Sequence, residues 1–133
     1  MANVPAYAST PKHWLGQVSA ANTNRDGTGT IVTLGTAPAA GTRIDGVIFQ
    51  ATGTTTSGML RLYVNDATNT RLILEIPVLA ITPSGTVPAW AAAVNYNTMS
   101  NLFPMVLPSG YSLRASTHNA ETFNVDAVGG DLT

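Results

Sequence analysis

The chain has 133 residues, a mass of 13.8 kDa, a net charge of -1 and 10% charged residues, against about 25% in an average soluble domain. That length fits one domain able to bury about two-thirds of its unfolded surface, and the absence of Cys excludes a disulfide framework or a thiolate metal site. A hydrophobic fraction of 44% excludes disorder, scattered basic residues exclude a nucleic-acid or anionic-membrane surface, and no apolar run reaches the roughly 20 residues that span a bilayer.

The amino-terminal stretch MANVPAYASTPKHW has no basic segment leading into an apolar core, so no secretory signal is expected. Residues 1–13 contain two prolines and no alternation. They are expected to form a flexible, poorly ordered arm, with an arm that packs on a neighbouring subunit as the other reading, ahead of a single domain over 14–133. From there the dominant signal is alternation with period two, the mark of a strand with one face toward a core. Strands are predicted at Leu15 to Ala20, Gly29 to Leu34 and Ile44 to Ala51. In MLRLYVN, Leu60, Leu62 and Val64 share the inward face, with Arg61, Tyr63 and Asn65 opposite. In RLILEIPV, Leu72, Leu74, Ile76 and Val78 point inward, and Arg71, Ile73 and Glu75 outward. The run Thr86 to Asn95 contains AWAAAV, which also suits a helix, but Pro88 and Asn95 bracket it as an edge strand. Tyr111, Leu113 and Ala115 then oppose Ser112, Arg114 and Ser116, and Phe123, Val125 and Ala127 oppose Thr122, Asn124 and Asp126. Turn chemistry separates these runs (NRDGTG, APAAG, GTTTSG, NDATN, TPSG, LPSG). The expected fold is all-β, an antiparallel β-sandwich, jelly-roll-like, of about eight strands.

Residues able to do chemistry are few. Ser116, His118 and Glu121 hold the right groups for a nucleophile and base, but they crowd one short turn without a glycine-framed elbow. His13 lies near the start. The carboxylates Asp26, Asp45, Asp66, Glu75, Glu121, Asp126 and Asp131 fall mostly in turns or on outward faces and are read as surface solvation. In NTNRDGT, Asn22, Asn24, Asp26 and Gly27 match the first half of a calcium loop. Thr33 stands where the bidentate Glu belongs, so a plain strand-connecting turn is expected, with no cofactor and no metal. The aromatic residues Tyr7, Trp14, Tyr63, Trp90, Tyr96 and Tyr111 suit a sugar platform or, more simply, a core and subunit interfaces.

Three stretches, SAANTNRDGTGTIVTLGTAPAAGTRIDGVIFQATGTTTSGMLRLYV, EIPVLAITPSGTVPAW and LPSGYSLRASTHNAETFNVDAVGGD, resemble small head-associated structural proteins of tailed bacteriophages and prophages. The resemblance runs from about Gly16 to Asp131 and carries no catalytic residue. It implies a structural virion protein without enzymatic activity, made in the host bacterial cytoplasm. The expected role is that of a capsid decoration (cement) protein on the capsid exterior, bound to the major capsid protein as a homo-oligomer, a trimer before a dimer. A head-fibre or tail-fibre module, or a carbohydrate-binding adhesion module, is the alternative. The expected interface residues are the apolar side chains hardest to place in a single core: Tyr7, Trp14, Trp90, Tyr96, Met99, Leu102 and Phe103.

Overall fold

The computed structural model describes residues 8–132. Nine strands follow one another: β1 (Ala8–Val18), β2 (Val32–Thr36), β3 (Thr42–Ala51), β4 (Gly58–Asn65), β5 (Thr70–Val78), β6 (Ala91–Asn95), β7 (Met105–Leu107), β8 (Ser112–Thr117) and β9 (Phe123–Leu132). Among the described residues there is no helix, and so none long and apolar enough to cross a membrane. Sheet A has the order β1-β9-β3-β6, with β7 following β6 along the same edge of β3, and sheet B has the order β2-β8-β4-β5. All pairings between named strands are antiparallel: β1 with β9, β2 with β8, β3 with β6 and β7, β4 with β5, and the two sheets closed by β3 with β9 and β4 with β8. The chain is thus a long hairpin with its tip at Asp66–Asn69, wrapped so that most successive strands change sheet.

The inward sides of the sheets supply one core, including Val18, Ile44, Val47, Phe49, Leu60, Leu62, Leu113, Phe123 and Val125. Trp90 meets Phe123 edge to face with ring centroids 5.7 Å apart, a favourable arrangement of aromatic quadrupoles. Trp14 lies over β2 at Gly35, where a Cβ would stand 2.2 Å from the indole; only glycine lets that strand pass so close. β1 and β2 close one side of the sandwich in this way.

Two bulges reset the alternation. In β3 the pairing with β9 steps from Ile44–Gly129 to Gly46–Val128, so Asp45 is the extra residue and the buried positions change phase from Ile44 to Val47, Phe49 and Ala51. In β5 the pairing with β4 steps from Leu62–Leu74 to Tyr63–Leu72. The faces expected for Leu72 and Ile73 are therefore exchanged: Ile73 packs against the core, and Leu72 stands beside Tyr63 on the opposite side. The strand expected over Thr86 to Asn95 begins at Ala91, because Ser84 N donates to Val87 O and closes a turn there. At the amino terminus, Thr10 to His13 continue β1 in register with Asp131 to Val128 of β9. Residues 1–7, which include Tyr7 and the first half of the expected arm, lie outside the described residues.

Leu62 is completely buried and Leu74 only partly so. Leu62→Ala should cost about 2–5 kcal/mol in chemical denaturation, and Leu74→Ala less, because less apolar surface is withdrawn from water there. Equal costs would contradict the inward side assigned to β4 and the shallower place of β5.

Candidate interface

The outer face of sheet B is not open to a partner. Residues 19–31, between β1 and β2, cross it and are held by Arg61, which is 1% exposed. The Arg61 guanidinium donates through Nη1 to the carbonyl of Asn22 at 3.0 Å and through Nε to Glu75 Oε2 at 3.0 Å. Its Nη2 lies 3.1 Å from His118 Nδ1; a guanidinium has only donors, so Nδ1 accepts. Arg25, carried by the crossing segment, donates to the same Glu75 oxygen at 2.8 Å. The Arg25 guanidinium, and after it that of Arg61, holds the Glu75 carboxyl below its ordinary range against the opposing effect of burial. Tyr63 completes the closure: its hydroxyl donates to Asn24 O and lies 3.0 Å from Ser116 Oγ. Arg61, Tyr63 and Asn65 were expected on a solvent-facing side, and all three are buried.

The segment resembling a calcium loop spends its oxygens on itself. Asn22 Nδ2 donates to Thr28 O and Thr30 O, Asn22 Oδ1 accepts from Asn24 N, and Asp26 Oδ1 accepts from Thr28 N. Asp26 Oδ1 also accepts from the Thr28 hydroxyl, and that bond first, with the Thr28 N–H bond after it, lowers the Asp26 pKa. Gly27 has φ +86°, and a Cβ there would stand 2.3 Å from Thr70 O, so the turn lies directly on the sheet. The Ser116–His118–Glu121 candidate does not assemble either. Ser116 turns to Tyr63, His118 to Arg61, and Glu121 Oε2 accepts from Thr56 N and Oγ1. Asp66 caps the hairpin tip, accepting from the N–H groups of Asn69 and Thr68, which lower its pKa.

The outer face of sheet A is open. Register aligns Leu15, Asp126, Ile48 and Ala93 in one row across β1, β9, β3 and β6, and Gln17, Asn124, Gln50 and Ala91 in the next. Leu15 is 70% exposed and Ile48 48%. The polar groups between them are matched within the face: Gln17 Nε2 donates to Asn124 Oδ1 at 2.9 Å, and His13 Nδ1 lies 2.8 Å from Asp126 Oδ2. Asp126 Oδ1 is buried and has no hydrogen-bond partner among the described residues. A partner covering this face would strip water from apolar side chains and from Gln17 and Asn124, which already bond each other, at low desolvation cost, and would enclose Asp126, whose Oδ1 has no partner.

Beside it lies a region without charge. From Ile76 to Leu113 the sequence has no Asp, Glu, Lys, Arg or His, and this stretch builds the end of β5, all of β6 and β7, and their connections. It carries the exposed Leu79, Val87, Tyr96 and Val106. Of the side chains expected at an interface, Tyr96 is 61% exposed here, while Met99 and Leu102 are half-buried against the core. Trp14, Trp90 and Phe103 are core residues, with almost no surface left for a partner. The positions that sequence reasoning passed over, Leu15, Ile48 and Val106, sit on outward phases of strands. The signal for this flank is the long interval without charge.

No family model matches this chain, and no curated protein does. Two solved structures, each described as a pentameric capsid protein isolated from metagenomic phage sequences, align with a TM-score of 0.38 and with 17% and 18% identity. The alignments cover 90% and 91% of this chain but 59% and 66% of theirs, so it spans about three-fifths to two-thirds of their length. A likeness that loose fixes neither function nor assembly.

Glu75→Gln leaves Arg61 buried with one charged partner fewer and should destabilise the protein by about 2–3 kcal/mol at pH 7. Because the Glu75 pKa is depressed in the fold, its contribution is fully present above the unfolded carboxyl value and lost as pH falls through the folded one. The gap between wild type and Glu75→Gln, followed by denaturant titration, should therefore begin to narrow near the unfolded carboxyl value of about 4.3 and close as pH falls through the depressed folded one. A gap that persists at pH 2 would remove Glu75 as the counter-charge.

Proposed function

We propose that this protein is a non-catalytic structural component of a tailed-phage virion, a decoration protein that binds the major capsid protein on the outside of the shell as a homo-oligomer. The observation that carries this reading is the outer face of sheet A, where Leu15 and Ile48 stand exposed among polar groups that are bonded to one another. The sequence resemblance over about Gly16 to Asp131 supplies the virion context. The strand order, with β1, β9, β3 and β6–β7 opposed to β2, β8, β4 and β5, supports naming the wrapped hairpin a jelly roll, the double-sheet architecture of two Greek keys.

In mechanical terms the protein acts by covering joints between shell subunits. Each contact removes apolar surface from water at about 25 cal/mol per Å², and symmetry repeats the contact over the shell, so a modest affinity per site suffices. Leu, Ile, Ala and Val lose little side-chain entropy on burial compared with Lys or Glu. Since little of the attraction comes from charge, salt screens little of it.

Purified protein should co-sediment with undecorated shells and remain bound in about 1 M salt. A Leu15→Gln, Ile48→Gln double variant, altered only at exposed positions and adding no charge beside Asp126, should keep its thermal stability and lose shell binding. Protein that ignores shells at micromolar concentration would refute the decoration reading. A double variant that binds as wild type would move the contact off sheet A.

A further inference from the structure

The free edges of the two sheets are not treated alike. β1 carries Pro11 and Lys12, and β5 carries Arg71, Glu75 and Pro77, residues that discourage the addition of a further strand. β2 is broken by a register shift between Thr33 and Gly35. β6, at the edge of sheet A, has none of these guards: Ala91, Ala92, Ala93, Val94 and Asn95 pair with β3 in unbroken register and carry no charge.

The hydrogen-bond phase of this edge follows from one contact. Ala51 N donates to Trp90 O at 2.8 Å, which makes those two a hydrogen-bonded pair. Antiparallel alternation then assigns Phe49 with Ala92 and Val47 with Val94 as the next such pairs. Ala91 and Ala93 therefore turn their N–H and C=O groups away from β3. Both residues are exposed, and these groups have no partner among the described residues.

We propose that a second copy of this chain pairs on this edge, β6 against β6 in antiparallel fashion, about a twofold axis beside Ala92. Two free residues separated by one bonded residue dictate the register. Ala91 of one copy faces Ala93 of the partner subunit, Ala93 faces Ala91 of the partner subunit, and all four N–H groups find carbonyls. The second copy has the required spacing because it is the same strand. The methyl side chains of Ala91 and Ala93 lie on the outer face and leave the approach unobstructed, and the neutral stretch around them brings no like charges together. The product is a dimer with a continuous ten-stranded sheet, eight strands across with β7 of each copy beside β6, in place of the trimer that the sequence alone suggests.

Sheet size gives this pairing a consequence, which rests on the shell-binding reading while the pairing itself does not. Three strands about ten residues long and β6 with β7 in line along the fourth row, spaced about 4.8 Å apart, offer an outer face of roughly 600 Å². A standard specific interface takes about 800 Å² from each partner. Two faces joined at β6 offer roughly 1,200 Å², enough for a specific contact where one is marginal.

The test is sedimentation equilibrium from about 10 μM to about 1 mM, with amide exchange read at Ala91 and Ala93, because a contact this small should dissociate in roughly that range. In the proposed register, A91K with A93K sets like charges opposite each other and should leave a monomer. A91K with A93E sets opposite charges in both pairs and should tighten the dimer about threefold to tenfold. Both double variants change exposed outer-face positions only, and unchanged thermal unfolding would show that the fold is kept. Equal association of the two variants, or a monomer at 1 mM with unprotected amides at both positions, would overturn the pairing. Protection of those amides on shells alone would assign the edge to a shell protein and overturn it as well. Loss of shell binding with the dimer intact would count against the decoration reading and leave the edge contact standing.

Discussion

A guanidinium buried against a β-sheet must be neutralised and hydrogen-bonded, or its desolvation makes the fold unstable. Arg61 imposes that requirement here. Glu75 comes from the neighbouring strand β5, His118 from the end of β8, and the Asn22 carbonyl from a segment 39 residues earlier in the chain. That segment cannot leave the sheet without stripping Arg61 of a partner, and Arg25 ties it down a second time through the same carboxylate. Three of the chain's thirteen charged residues, Arg25, Arg61 and Glu75, meet at this one place.

The result is a sandwich with unlike outer faces. Sheet B is closed by its own chain, through charge and hydrogen bonds that reach few groups outside themselves. Sheet A is left with exposed aliphatic side chains, self-matched polar pairs and an unguarded edge strand. The charge-free stretch from Ile76 to Leu113 beside it has two physical effects: little rotamer entropy is lost when it is covered, and little of its binding energy is screened by salt. A surface of this kind suits permanent assembly better than transient recognition, where charge steering would speed the encounter.

Much of the architecture was legible in the sequence, because alternation in β4, β8 and β9 directly separates inward Leu62, Leu113 and Val125 from their neighbours. The exchange of Leu72 and Ile73 was not, since a bulge is a pairing event between two strands and leaves no mark on either one alone. The burial of Arg61 and Tyr63 was hidden for a related reason: what covers them is distant in sequence. Trp14, Trp90 and Phe103 looked too large for a single core, yet the glycine at position 35 and the edge-to-face contact with Phe123 make room for the two tryptophans. The neutral flank was readable all along in the interval from Ile76 to Leu113, but a composition averaged over the whole chain conceals it.

In the proposed function, sheet A and the β6–β7 flank meet other subunits, and the closed face of sheet B does not. Hydrogen–deuterium exchange on protein bound to shells, compared with protein free in solution, tests this most directly. Slowed exchange should be confined to β1, β9, β3, β6 and β7, with amides of residues 19–31 exchanging as in the free protein. Protection concentrated on residues 19–31 and the hairpin tip at Asp66–Asn69, with sheet A unchanged, would contradict it.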